Sequence, residues 1–192
     1  MESLLSFFTA FGLSSSAGLN AYIPLLITGL VARYTDLLGL SGPFATLENP
    51  WVLLTLAVLL LVEMLVDKVP GADSLNDVIH TVVRPAAGAI LFAANAGSIS
   101  YVDPTLAVVL GLLSAGAVHA TKTAARPLVT ATTFGVGNPV VSFVEDVVSF
   151  FVSILAIFAP IIVAIVGTIS FLVIGRWWWR RRDHPLPADA LL

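Results

Sequence analysis

The chain has 192 residues, of which 58% are hydrophobic and 11% are charged, whereas soluble domains average about 45–50% apolar and about 25% charged residues. These values exclude a water-soluble domain. The formal net charge is −3, and the nine Lys and Arg residues are scattered or gathered near the C-terminus, so a nucleic acid partner is not expected. The lack of Cys excludes disulfides, thiolate metal sites and Cys nucleophiles.

The first hydrophobic segment, from about Leu4 to Ala32, is longer than a bilayer requires. As one helix it would measure about 43 Å at about 1.5 Å per residue, against a hydrocarbon core of about 30 Å. Three serines, Gly18, Asn20 and Pro24 lie in its middle and predict a helix break at membrane depth. The N-terminus lacks the basic region of a secretory signal, so we expect an interrupted first span that is retained.

Two further segments begin and end at recognisable signals. Asn49 before Pro50 is typical of a helix N-cap followed by proline at the first helical position. The apolar run after it extends to Lys68 and is stopped by Pro70 and Gly71. The next segment opens with Ser74 and Asp77 in the spacing of a capping box and runs to about Ala96.

A fourth segment begins at Asp103 and Pro104 and ends near Arg126 and Pro127. Small residues between 111 and 116 would allow neighbouring helices to approach closely. The stretch 128–139 is rich in Thr and Gly and is too short and polar for a span, which favours a re-entrant or interfacial segment.

The last hydrophobic stretch, 140–175, is too long for one crossing. It contains either an amphipathic part followed by one span, or two spans hinged near Pro160. Tryptophans and arginines at 176–182 predict a cytoplasmic C-terminal end. We therefore predict an all-α polytopic membrane bundle of about five to six spans in a single domain, 1–182, with a disordered cytoplasmic tail, 183–192. The expected location is the plasma membrane.

The few charged residues form stripes on these segments. At about 100° per residue, the polar side chains between 73 and 84 share one face of the third segment. Similar stripes follow at the end of the second and fourth segments and at the start of the last one. Inserting a charge at mid-bilayer costs about 2.5–3.5 kcal/mol, so the stripes are expected to face one another. Six acidic and six basic side chains would then balance: Glu63, Asp67, Asp73, Asp77, Glu145 and Asp146, with Lys68, His80, Arg84, His119, Lys122 and Arg126.

Structural interpretations of several of these residues stay open. Asp73, Ser74 and Asp77 are also suited to capping a helix, and Lys122 with Arg126 to anchoring a helix end at the membrane surface. Asn20 with Pro24 is either a functional break or a plain kink.

Site chemistry is only partly specified by the sequence. The carboxylates and His80 are competent hard metal ligands, but their spacing matches no metal motif. No HExxH, GxSxG, Walker or dinucleotide-binding signature is present, so an enzyme is less expected than a non-enzyme. The cofactor is left unknown.

Several motifs together resemble one protein family. They are the segment Gly18–Leu26, then Asp67-Lys68-Val69-Pro70 with Asp73, Asp77, His80-Thr81 and Arg84-Pro85, and finally Asn138-Pro139 with Glu145-Asp146. The chain is similar, over about 12–160, to small bacterial membrane proteins catalogued as a domain of unknown function. The resemblance implies a compact multi-span protein and no particular substrate or catalytic residue.

The leading functional hypothesis is a small transporter or channel for an ion or small polar or anionic solute, with the lipid bilayer as its surroundings. Arg84, Lys122 and Arg126 would attract an anion, the carboxylates would carry protons or a cation, and the histidines would carry protons. A homo-oligomer is expected because short spans enclose little interior. The alternatives are a membrane scaffold or accessory subunit and, less expected, an enzyme acting on lipid head groups. The pathway candidates are Asn20, Glu63, Asp67, Asp77, His80, Arg84, His119, Lys122, Arg126, Glu145 and Asp146.

Overall fold

The computed structural model describes residues 2–40, 42–67, 72–97, 99 and 102–182, and of residues 72–77, 171, 174 and 177–182 it describes the backbone only. Throughout these residues the regular structure is helical. A 3-10 helix, Gly42–Glu48, precedes the third of the α-helices, which are α1 (Glu2–Ala17), α2 (Tyr22–Tyr34), α3 (Pro50–Val66), α4 (Ala72–Ala96), α5 (Pro104–Thr133), α6 (Asn138–Phe158) and α7 (Pro160–Arg182).

The first two helices form a hairpin. The break predicted around Asn20 is present, because α1 ends at Ala17 and α2 begins at Tyr22. Leu37 and Leu38, which follow α2, line the same cavity as Glu2 at the start of α1. The chain therefore turns back to the end where it began, and α1, with 16 residues, measures about 24 Å. The expected interrupted first span is thus a pair of short helices entering from one side.

Helix α3 follows a sharp bend after the 3-10 helix, and the two make an angle of 67°. The predicted cap is confirmed, since the Asn49 side chain accepts a hydrogen bond from the backbone N–H of Trp51 at 2.9 Å. Gly29 of α2 lies against Leu47 and Leu53. Helix α3 therefore runs alongside α2 in the opposite direction.

Helices α4 and α5 pack against each other through glycines. A Cβ atom on Gly111 would lie 2.7 Å from both Ala89 Cα and Phe92 Cβ of α4, so the two backbones touch directly. The start of α5 is capped by Asp103, which accepts a hydrogen bond from Thr105 N–H at 2.8 Å. This bond lowers the pKa of the fully exposed Asp103 carboxyl, and its contribution to stability is lost as the pH falls through that pKa.

The remaining contacts fix the directions of the helices. Ser14 Oγ donates to Gly111 O at 2.8 Å, so α1 and α5 run parallel. Gly12 lies against Ala156 and also against Val163. Since Asn20, which follows α1 in the chain, bonds to Asp146, which precedes Ala156, α6 runs antiparallel to α1. We call the bundle end that contains Glu2, Leu37 and Phe158 the N-terminal face, and the end where α5 passes into α6 the opposite face.

Three described helices are long and apolar enough to cross a membrane, and a fourth span results if the bent 3-10 helix and α3 are counted as one. The predicted multi-pass helical membrane protein is therefore confirmed in class. The predicted count of five to six spans is not confirmed.

The predictions for the stretch after Pro127 and for Pro160 have different outcomes. The stretch from Leu128 to Thr133, expected to be re-entrant or interfacial, instead continues α5 past Pro127. Its threonines bond back to carbonyls of the preceding turn, such as Thr132 Oγ1 to Leu128 O at 2.8 Å, which satisfies the hydroxyls inside a helix. The hinge at Pro160 is confirmed, because α6 ends at Phe158 and α7 begins at Pro160. The predicted tail, 183–192, lies outside the described residues.

The close approach of α4 and α5 predicts that Gly111→Ala destabilises the protein by about 1–3 kcal/mol, because the added methyl overlaps α4. Gly116→Ala is the matched control on the same helix, since its Cβ would meet nothing nearer than Pro85 Cγ at 3.9 Å. Thermal unfolding of the detergent-solubilised variants, followed by size-exclusion fluorescence, measures the difference. Equal melting temperatures for the two variants would contradict the packing described.

Candidate functional site

The helix break places Asn20 at the centre of a polar cluster. Its Oδ1 accepts hydrogen bonds from the N–H groups of Tyr22 at 2.9 Å and Ile23 at 3.1 Å, and so satisfies the first turn of α2. Its Nδ2 lies 2.8 Å from Glu63 Oε2 of α3 and 2.8 Å from Asp146 Oδ1 of α6. The side chain is fully buried. One amide therefore joins two carboxylates from separate helices to the break in the hairpin.

Glu63 is also the anchor for two side chains of α4. Its Oε1 accepts a hydrogen bond from Arg84 Nη2 at 3.0 Å and lies 3.2 Å from His80 Nε2. All three residues are at most 3% exposed. His80 and Arg84 are four residues apart, which puts them on the same face of α4. An arginine charge inside the bundle is thus paired directly with a carboxylate.

Helix α5 extends the cluster through His119. Its Nδ1 lies 3.3 Å from Arg84 Nη1, and its Nε2 lies 3.3 Å from Thr81 Oγ1. Across from His119, the Tyr22 ring packs edge-on against the His80 ring with centroids 5.8 Å apart. The two histidines are therefore held on either side of Arg84.

Lys122, Arg126 and Glu145 form the part of the cluster nearer the opposite face. Lys122 Nζ lies 2.7 Å from Glu145 Oε2, and Arg126 Nη2 lies 3.8 Å from the same atom. Arg126 Nη2 also donates to Ser142 Oγ at 2.7 Å. Lys122 Nζ donates to the Leu19 carbonyl at 3.3 Å, a group freed by the break after α1. The broken hairpin is therefore bonded to α5 as well as to α3 and α6.

Asp67 belongs to the same cluster. It is buried and interacts electrostatically with Glu63, His80 and Asp146. The structure thus brings together every pathway candidate except Asp77, whose side chain lies outside the described residues. Their participation in solute binding stays a prediction. We call the side chains so assembled the ionisable cluster: Asn20, Glu63, Asp67, His80, Arg84, His119, Lys122, Arg126, Glu145 and Asp146.

Besides Glu145 Oε2, which lies 2.7 Å from Lys122 Nζ, two polar atoms in the ionisable cluster have no hydrogen-bond partner in the described part of the chain. They are His80 Nδ1 and Arg84 Nε, and both are buried. Leaving a buried donor or acceptor unsatisfied costs about 1–3 kcal/mol. The arginine N–H is a donor, and the imidazole nitrogen accepts or donates according to its protonation. The α4 side of the cluster therefore offers unused hydrogen-bonding capacity for water or a polar solute.

Three buried serine hydroxyls next to the ionisable cluster, which we call the serine seam, were not predicted from the sequence to lie together. Ser16 Oγ lies 2.9 Å from Ser149 Oγ and 2.8 Å from Ser153 Oγ. The two α6 serines lie on the same helix face as Asp146 and were expected to be part of a polar stripe. The sequence pattern assigned Ser16 only to the helix break. Ser16 ends a run of three consecutive serines, and small residues of this kind also predict close contact between helices.

Metal coordination receives no support from the residues that the structure describes, since no group of three or more Asp, Glu and His side chains among them has an arrangement able to hold an ion.

Comparisons with known proteins identify the family. No curated protein and no solved structure matches the chain. Residues 7–181 match the family described as "Domain of unknown function (DUF4126)". This range includes α1 from Phe7 onwards, the whole of α2 and every residue of the ionisable cluster. The expected resemblance to a domain of unknown function is confirmed, and the chain belongs to the DUF4126 family.

Proposed function

We propose that the chain is a small helical membrane transporter or channel, and that an ion or small polar solute passes through the ionisable cluster. The observation that carries the proposal is the position of Asn20, at a helix break and bonded to carboxylates of two other helices. Interrupted helices at membrane depth commonly supply solute and ion sites in transporters. Ionisable side chains inside a membrane bundle are functional candidates by default because they are expensive to bury.

The distribution of charge favours a cation, including a proton, over an anion. Arg84 is paired with Glu63, and Lys122 and Arg126 both lie near Glu145. In the described residues Asp146 bonds through its side chain to the neutral amide of Asn20 and forms no salt bridge. Lys122 and Arg84 act on Asp146 electrostatically, but its carboxylate has no direct cationic partner among the described residues, so a proton or cation would be attracted there.

A scaffold remains the second candidate, and the ion pairs themselves favour it. Short contacts join helices α3, α4 and α5 through Glu63, Arg84 and His119. Buried pairs of this kind fix helix register in some proteins without any transport role. The two candidates differ in whether the charges are needed after the bundle has assembled.

Flux measurements test the transport proposal. We expect Asp146→Asn to reduce proton or potassium flux in proteoliposomes to the level of protein-free liposomes, because the substitution removes the charge and retains the shape. An entrapped pH-sensitive dye and an imposed diffusion potential report the flux. Asp36→Asn, which neutralises an exposed carboxylate after α2, is the matched control and should transport normally. Equal flux through both variants would overturn the role of Asp146.

Paired substitutions separate transport from scaffolding. Arg84→Met alone should destabilise the bundle by about 3–5 kcal/mol because it leaves Glu63 charged and unpaired, whereas Arg84→Met with Glu63→Leu should recover most of that stability. For a transporter, the double variant assembles but carries no flux. A double variant that is stable and transports normally would contradict the proposal, and thermal unfolding with the flux assay gives both readouts.

The proposed topology follows from the helix directions. Helices α3 to α7 would each cross the bilayer, and α1 with α2 would enter and leave by the N-terminal face. Glu2, Asp36, Glu48 and Asp103 then lie at or near the N-terminal face, whereas α7 carries the C-terminal arginines to the opposite face. By the positive-inside rule the opposite face is cytoplasmic. We also propose a plasma-membrane location and a homo-oligomer, because five short crossings enclose little space.

Reporter fusions test this topology. We expect green fluorescent protein fused after Leu192 to fluoresce, and alkaline phosphatase inserted at Gly39 to be active, because the two sites would lie on opposite sides of the membrane. Alkaline phosphatase fused after Leu192 is the control and should be inactive. Active phosphatase at the C-terminus would show that the orientation is reversed.

A further inference from the structure

A second polar feature lies on the N-terminal face, away from the ionisable cluster. It is a cavity of about 580 Å³ between the start of α1, the residues after α2 and the junction of α6 with α7. Glu2, Ser6, Thr9 and Asn95 give it a polar lining, and among the residues that the structure describes no Lys or Arg lines it. At about 100° per residue, Glu2, Ser6 and Thr9 share one face of α1 with Ser16, and Asn20 follows at the break after α1. The cavity therefore begins a polar face that ends at the ionisable cluster.

The serine seam continues this face towards Asn20. Ser16 Oγ donates to Ser149 O at 2.8 Å, and Ser153 Oγ donates to the same carbonyl at 2.7 Å. Each of the three serines is at most 1% exposed. Ser149 lies three residues after Asp146, so the seam and the Asn20 bridge occupy the same side of α6.

A short apolar constriction separates the cavity from the serine seam. Leu13 is completely buried, and a Cβ atom on Gly12 would lie 2.7 Å from Ala156 Cβ and 2.9 Å from Val163. From Thr9 to Ser16 is about 10 Å along the helix at about 1.5 Å per residue. The polar face is thus interrupted over about two helical turns, where Gly12 of α1 lies directly against Ala156 of α6.

We propose that a proton or small cation travels between the N-terminal face and the ionisable cluster along the α1–α6 interface, with the Gly12–Ala156 contact as the gate. This inference rests on the proposed transport function and adds its route and charge class. The cavity, whose described lining includes Glu2 and no basic side chain, attracts cations and repels anions. Serine hydroxyls can each accept and donate a hydrogen bond, as a proton or hydrated cation requires. A gate formed by small residues can open through a small separation of the two helices.

Cysteine accessibility tests the route directly, because the chain contains no Cys. We expect the Thr9→Cys variant in proteoliposomes to react with a membrane-impermeant cationic methanethiosulfonate at least about tenfold faster than Phe8→Cys, since an apolar environment suppresses the reactive thiolate. Phe8 adjoins Thr9 in sequence but lines apolar grooves against α7. Modified Thr9→Cys should also lose proton flux.

On the cluster side of the gate, silver ion should block proton flux through the Ser153→Cys variant. The larger methanethiosulfonate should leave that flux unchanged. Phe151→Cys on the outer, exposed side of α6 is its control. Equal reactivity at positions 8 and 9 would overturn the route. Normal flux through fully modified Thr9→Cys would overturn the route and leave the proposed function standing. Absence of wild-type flux despite rapid reaction at position 9 would instead defeat the proposed function, and the route with it.

Discussion

The cost of placing charge inside a membrane bundle is the constraint on which this structure depends. An arginine or carboxylate surrounded by apolar helices is tolerated only if its charge and its hydrogen bonds are matched. Glu63 and Arg84 match each other's charge at 3.0 Å and with almost no exposure. Because they come from different helices, satisfying the charges also determines how α3 and α4 sit against each other.

The break between α1 and α2 places a second requirement on the same side chains. A helix that stops within a bilayer leaves backbone groups without partners. Here Asn20 accepts from the first N–H groups of α2, and Lys122 donates to the carbonyl of Leu19. The groups that satisfy the break are thus the same groups that bind the carboxylates Glu63, Glu145 and Asp146. Backbone and charge requirements are met at one place, which concentrates polar chemistry there.

Local signals in the sequence predicted those features whose cause is local. Asn49 and Asp103 cap their helices with their own side chains, and Pro160 separates α6 from α7, as their sequence neighbours indicate. The convergence of the charged stripes was also predictable, because the penalty for lipid exposure applies whatever the fold. The identity of each pair was not, since Glu63 could have met any of several basic side chains.

Features that depend on the direction of the chain in space were not predictable in the same way. A break at Asn20 frees backbone groups but does not specify that α2 returns to the N-terminal face. The threonines of 128–133 suggested an irregular segment, yet threonine hydroxyls bond equally well to their own helix, as Thr133 Oγ1 does to Val129 O at 2.7 Å. Ser16 similarly found its partners on α6, 133 residues away, a distance at which sequence spacing carries no information.

The most direct measurement of the central claim is disulfide cross-linking of position 20 to position 146 in native membranes. The hydrogen bond between Asn20 and Asp146 brings these side chains together, so a chain carrying Asn20→Cys and Asp146→Cys should form an intramolecular disulfide on mild oxidation. Phe143, one turn away on the exposed side of α6, provides the comparison, and Asn20→Cys with Phe143→Cys should remain reduced. Failure of the first pair to cross-link, or equal cross-linking of both, would contradict a buried cluster assembled around the helix break.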